Sequence, residues 1–233
     1  MSRRAKRLDL STQFQQAIFA GLSRASVRLT VDREDYLDRI RRAHGLSIGS
    51  FRDMFFVPQE TVDHLADQTI SAAIKLATIE GTGLGIGGIA TVVPDLGILA
   101  VICMRMIQKL SLLYGFECAT ENEVAELWVA AASAAGVTLG RDLIEKEVLE
   151  RFVPRVMQRI AIRVGAEVAE KWTARLIPVV SGAIGGALNY YFVRAWGRRA
   201  KQHFRERHLR MRQQLALPDA SGAARLALPT SSE

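Results

Sequence analysis

Residues 81–104 read GTGLGIGGIATVVPDLGILAVICM, with Asp95 as their only charge. About 20 apolar residues suffice for a helix to cross a bilayer. Glycine at this density opposes a helix by about 1 kcal/mol per residue relative to alanine, and a carboxylate at membrane depth is costly. Pro94 also disfavours helical geometry at Val93. The segment is therefore expected to form two shorter helices meeting at Pro94 and Asp95. Such a hairpin is buried in a helical domain, or dips into one leaflet, in preference to a simple crossing.

The remainder of the chain points to an all-α protein. Aromatic residues make up only 7% of the 233 positions, Ala and Leu are abundant, and no segment alternates with the period of a strand. Apolar periodicity predicts helices over 8–29, 32–43, 59–80, 95–114, 122–135 and 179–212, with Gly115 and Gly136 as stops. A charged helix is expected over 141–151, and Pro154 is expected to start another that reaches about residue 176. Residues 45–58 read as a loop. Its apolar cluster, Met54 to Val57, is either a strap on the core or a membrane-inserting loop.

Three regions follow. Residues 1–32 form a basic N-terminal amphipathic helix, either a membrane-surface element or an ordinary docking helix. Residues 33–212 form the main helical domain. Residues 213–233, rich in Pro, Ser, Ala and Gly, are expected to be a disordered tail. The net charge of +7 is terminal: Arg3, Arg4, Lys6 and Arg7 carry +4, the stretch from Arg194 to Arg212 carries +7, and the rest carries −4. Such blocks suit anionic lipid or nucleic acid. With two cysteines, Cys103 and Cys118, no disulfide framework is implied. With no apolar run after the basic N-terminus, no secretory signal is expected. A reducing, cytoplasmic setting follows.

Small residues recur four apart in two places. Gly81 pairs with Gly85, Gly83 with Gly87, Ser181 with Gly185 and Gly182 with Gly186. That spacing leaves a flat groove along a helix where another backbone can approach. The fold is thus expected to be a multi-helix domain around a central pair of Gly-rich helices.

The segments TIEGTGLGIGGIATVVPDLGILAVICMRMIQKLSLLYGF and PVVSGAIGGALNYYFVRAWGRRAKQHFRERHL resemble the EcsC family. The shared pattern is Glu-Gly before a Gly-rich run, Asp beside Pro, Arg-x-Ile-Gln before Tyr-Gly, and a second Gly-rich helix that runs through Asn into a basic stretch. It covers roughly residues 33–212. Pro94 precedes Asp95 here, the reverse of the expected order. The family takes its name from an operon that also encodes an ABC transporter. The resemblance implies a bacterial, membrane-linked helical protein without a settled activity.

Four polar residues stand inside the apolar pattern. Asp95 is read first as a helix N-cap and Glu80 as a residue at a helix junction. Arg105 would pair with one of them, because an unpaired charge there is expensive. Asn189 needs an interior partner, so Arg105 and Asn189 are assigned to a polar interior site. The sharper reading makes Glu80 and Asp95 a converging carboxylate pair, the candidate catalytic residues of a hydrolase-type enzyme. No cofactor is expected. GTGLGIGG lacks the Lys-Ser/Thr of a P-loop, no HExxH is present, and His203 and His208 are not at metal-ligand spacing, so no metal site is assigned.

The last helix carries Arg194, Arg198, Lys201, Arg205 and Arg212 at intervals that put them on one face, with Trp196 and Phe204 on another. Together these seven residues read as a membrane-binding surface, against the alternative of a core helix with a basic solvent face. No nucleic-acid motif accompanies the charge, so anionic membrane lipids are preferred to nucleic acid as partners. The expected role is a membrane-associated accessory or scaffold on the cytoplasmic face of the cell membrane, beside an ABC transporter or another membrane protein. The alternatives are a lipid-handling protein and the carboxylate enzyme. The sequence favours a non-enzymatic role.

Overall fold

The computed structural model describes residues 3–28, 31–84, 89–140, 148–174 and 182–215; for residues 3–8, 27–28, 80–84, 89–94, 171–174 and 182–188 it describes the backbone alone. The described residues form seven α-helices and one 3-10 helix, with no strand among them: α1 (Arg3–Arg28), α2 (Arg33–His44), the 3-10 helix Phe51–Phe56, α3 (Gln59–Leu84), α4 (Ile89–Leu113), α5 (Glu121–Ala134), α6 (Leu149–Ala174) and α7 (Gly182–Gln214). The fold is all-α, as the periodicity predicts.

Local chemistry explains the helix ends. Asp32 caps α2 by accepting from the Asp35 N–H at 3.1 Å, and Thr120 caps α5 by accepting from Glu123 N–H at 3.3 Å. Gly115 ends α4 with φ +89°. There the Phe116 N–H reaches back to Ser111 O and the Gly115 N–H to Leu112 O, both at 2.9 Å. This double closure needs a left-handed residue, which glycine supplies without strain. The same closure recurs at Gly136, with Val137 bonded to Ala132 O at 2.8 Å.

Two proline expectations are corrected. The hairpin is not broken at Pro94 and Asp95, because α4 begins at Ile89 and runs through both. Nor does Pro154 start a helix; it lies inside α6, which begins at Leu149. Each proline is the sixth residue of its helix. It removes the one N–H that would serve the carbonyl of Ala90 or Glu150. In the second turn of a helix that is a single bond lost, and the buried faces downstream outweigh it. Asp95 is consequently a residue of the second turn of α4 and not its cap.

α4 sits at the centre, packed on α1, α3, α5 and α7; α3 also packs extensively on α7, and α1 on α6. Between Asp95 and Leu113, α4 is long and apolar enough to cross a membrane, yet 72% of that stretch is buried within the protein. It is the core helix of the bundle. Nor is α1 an appendage: Phe14, Ile18 and Leu22 are buried in the same core as Ile107 and Leu110. Residues 51–57 form a strap on that core, with Phe51, Met54, Phe55 and Val57 buried and Phe56 left 67% exposed.

Among the residues whose side chains are described, three glycines sit where helices approach too closely for a Cβ. A Cβ at Gly21 would lie 2.9 Å from Gly97 Cα, one at Gly165 would lie 2.7 Å from Gln15 Cγ, and one at Gly197 would lie 2.9 Å from Ile70. These three sites join α1 to α4, α6 to α1 and α7 to α3. Gly81 and Gly83 lie in the last turn of α3 and Gly182, Gly185 and Gly186 in the first turns of α7; Gly85 and Gly87 lie outside the described residues, as do the expected tail from 216 onward and the charged segment 141–147.

Candidate functional site

The buried face of α7 runs through Asn189, Val193, Trp196, Ala200, Phe204, His208 and Arg212, all at most 6% exposed. Most steps along this face are four residues. Four residues advance a 3.6-residue helix by about 400°, so each step turns the face by about 40°. Over the length of α7 the buried face therefore wraps around the helix and brings Arg212 inside.

This wrapping decides the fate of the basic stripe. Trp196 and Phe204 are core residues, 5% and 1% exposed. Arg212 donates to Val57 O at 3.0 Å, holding the strap. Lys201 pairs with Asp67 at 2.7 Å, and Arg205 with Asp63 at 2.9 Å. Arg194 donates to Tyr190 Oη at 2.6 Å, and Arg198 is exposed. The aromatic side chains placed among the membrane-binding residues are consumed by the fold, and three of the five cations hold α7 to α3 or the strap.

Beside Arg205 lies a polar knot under the bundle surface. Asp63 accepts from Tyr114 Oη at 2.7 Å and from Gln59 at 3.0 Å, and these donors with Arg205 hold its carboxyl below the usual carboxylate range against the opposing effect of burial. His208 is fully buried, its Nδ1 donating to Tyr114 O at 2.9 Å and its ring stacked on Phe55 at 4.9 Å. Its Nε2 has no hydrogen-bond partner. Burial, aided by Arg212 and opposed by the Tyr114 carbonyl and Asp63, holds the imidazole below its ordinary pKa of 6.5. The unfolded chain therefore takes up a proton that the folded one refuses, and stability falls as pH drops below about 6.5. Urea midpoints should decline from about pH 7.5 to pH 5.5, and His208→Gln should flatten that decline; an equal slope in both proteins would refute the assignment to His208.

At the other end of the bundle three helices meet. Asn189, 4% exposed, donates through Nδ2 to Ala77 O at 3.2 Å and to Asp95 Oδ2 at 3.3 Å. One amide thus ties α3, α4 and α7 together. The predicted interior partners of Asn189 are found, and Asp95 is one of them. Arg105 is not. It is exposed, ten residues along α4 from Asp95, a rise of about 15 Å. The side chain of Glu80 lies outside the described residues, so the carboxylate pair of the enzymatic reading is not placed. Among the described residues no group of three His, Cys, Asp or Glu side chains is arranged to hold a metal ion. Burial pushes the Cys103 thiol up to about 12, which leaves it an unreactive core residue.

Asn189 marks where the chain turns apolar. Residues 81–94 and 176–193 carry no charge. The first spans the end of α3 and the start of α4, and the second contains the start of α7. Near the tie, Ile79 is 69% exposed, Tyr191 58% and Tyr190 41%.

A concavity, which the sequence reading missed, lies farther along the α3–α4 hairpin beneath α2. It is a groove of about 340 Å³ with Arg105 and Lys109 on its rim. The available signal was two cations four residues apart on an otherwise apolar helix, which puts both on one face.

A model of the EcsC protein family matches residues 9–209. Protein EcsC of Bacillus subtilis (strain 168) is 31% identical over 160 residues, which are 66% of this chain and 65% of that protein. The chain thus aligns with a little under two thirds of the curated relative's length. No solved structure matches it. The match begins within α1, in agreement with the packing of that helix into the common core, and it extends through the Gly-rich segments and nearly all of α7. The chain belongs to the EcsC family.

Proposed function

We propose that this protein docks on the cytoplasmic face of the cell membrane through the Gly-rich end of its bundle, and serves there as a non-catalytic accessory or scaffold for a membrane transport or secretion process. Its partners in this reading are anionic lipid and a membrane protein such as an ABC transporter. The observation that carries the proposal is the Asn189 tie. It gathers at one end the close of α3 and the starts of α4 and α7, which belong to two stretches of sequence without charge over 14 and 18 residues. An end of that composition is poorly suited to water, and exposed Ile79 and Tyr191 add apolar surface beside it. Lys75, exposed on α3, and Arg194 on α7 stand near enough in sequence to meet headgroups; each cation near an anionic surface adds about 1 kcal/mol. The docking surface is therefore this end, in place of the aromatic face of α7. Asp95 acts as the acceptor that fixes the end, which suits a structural role better than acid–base work.

Flotation with vesicles of zwitterionic lipid alone, and with added anionic lipid, tests this. The protein should float, more strongly with anionic lipid. Ile79→Asp combined with Tyr191→Asp should reduce the bound fraction about tenfold or more, since each exposed side chain is worth about 1.5–3 kcal/mol on burial. Absence from both lipid fractions overturns the membrane reading. Undiminished flotation of the double variant overturns the choice of surface.

A further inference from the structure

We propose that the groove between α2, α3 and α4 binds a single-chain amphiphile with an anionic head, its chain lying along the α3–α4 hairpin and its head held by Arg105 and Lys109. The polar partners are at one end of the groove and the apolar lining leads away from them. α3 and α4 are antiparallel: Asp63 meets Tyr114 at one end of the pair, and Ala77 and Asp95 share Asn189 at the other. Along this hairpin the lining runs from Leu65 to Leu76 on α3 and from Lys109 back to Ile102 on α4. The eleven-residue step on α3 corresponds to about 16 Å of helix.

The floor is made by Leu65, Ala73, Leu76, Ile102 and Met106. Leu76 is 47% exposed and leaves the apolar end open toward Ile79 and the Gly-rich tip. At the closed end Tyr36 of α2 bonds through its hydroxyl with Thr69 at 3.3 Å, and Lys109 stands over the Tyr36 ring at 5.4 Å. Among the described residues neither Arg105 nor Lys109 has a carboxylate in ion-pair range, while nearby Arg39 is paired with Asp35 at 2.7 Å. Burial, then Arg39 and Arg105, holds the Lys109 ammonium below its usual pKa. Three cations crowd one end of an apolar slot with a single carboxylate among them, and a bound anion relieves that repulsion. The volume of 340 Å³ falls within the range of about 300–1,000 Å³ typical of small-ligand sites. A tail alone would not use the cations, and a free anion would not use the floor.

The proposal stands without membrane docking, because the probes are soluble monomers below their micellar concentrations. Isothermal titration of the full chain would use dodecanoate, dodecyl phosphate and dodecanol. Saturable one-to-one binding of dodecanoate or dodecyl phosphate, with dodecanol about tenfold weaker or worse, is expected; which head binds tighter tells a free fatty acid from a phosphate-bearing lipid. Arg105→Gln and Lys109→Gln should each weaken the anionic probe by about tenfold, the worth of one charge-assisted bond. Ala72→Trp, at an exposed position on the groove rim, should block all three without lowering the urea midpoint. Failure of both anionic probes to bind, equal binding of dodecanol, or full affinity in Ala72→Trp or in both charge variants would overturn it.

Discussion

Phe204→Ala should remove about 3–5 kcal/mol of stability, a large share of the roughly 5–15 kcal/mol that holds a typical domain together. Phe204 is 1% exposed and sits midway along the buried face of α7, its ring 6.2 Å from that of Phe116 and 5.4 Å from that of His203. Phe116 follows the glycine stop of α4, so the truncation opens a cavity where α4 ends against α7, and backbone closures on either side limit collapse into it. The melting temperature should fall by roughly 6–20 °C. The same variant separates two roles for the helix. If Phe204 were an interfacial anchor, truncation would leave the midpoint near that of the native protein and weaken flotation. A core residue behaves the opposite way, with a large stability loss and undiminished lipid binding by the molecules that remain folded.

The second large effect comes from Gly21→Val. A Cβ there would lie 2.9 Å from Gly97 Cα and 3.0 Å from the Ala100 methyl. The nearest obstacle is backbone, which cannot rotate aside, so α1 and α4 must move apart along a face that also carries Phe14, Ile18 and Leu22. A loss of about 3 kcal/mol is expected, with Gly21→Ala milder because the gain in helix propensity returns about 1 kcal/mol. Chemical denaturation reads both. A Gly21→Val protein within about 1 kcal/mol of the native one would mean that the α1–α4 contact yields easily.

Both effects sit where the sequence pattern is ambiguous. GxxxG-like spacing draws attention to Gly81, Gly83, Gly182 and Gly186, but it gives no signal for the tight approaches that the structure describes at isolated glycines: Gly21, Gly97, Gly165 and Gly197. A close approach needs one small residue opposite the right partner, and the partner is not written in the local sequence. Trp196 and Phe204 show the same limit. Their spacing states that they share a face, but an aromatic face beside cations fits a membrane surface and a bundle core equally well. Arg212 is subtler, because a fixed helical wheel assigns it to solvent and the slow rotation of the buried face takes it to Val57 O.

The polar site was half legible. Asn189 amid apolar neighbours had to find interior partners, because a buried amide without them is expensive. That one of them is Asp95 follows from α3, α4 and α7 meeting at one end, and that Arg105 is not follows from the rise of α4. The groove at Arg105 and Lys109 depends on α2 folding back over the hairpin, a contact between residues some 70 positions apart, Tyr36 and Lys109.

By itself the sequence determined the class of the fold, the extent of most helices, the glycine stops at Gly115 and Gly136, and the family. These rest on caps, periodicity and motifs that act within a few residues. The tertiary structure alone decided that the apolar stretch from Asp95 to Leu113 is a core helix, that Pro94 and Pro154 lie within helices, and that the basic stripe of α7 is largely committed to ion pairs and the strap. Each of these outcomes is set by which surfaces remain to be covered once several helices compete for one interior. That competition is non-local: the same apolar face is content against lipid or protein, and only the presence of other helices settles which.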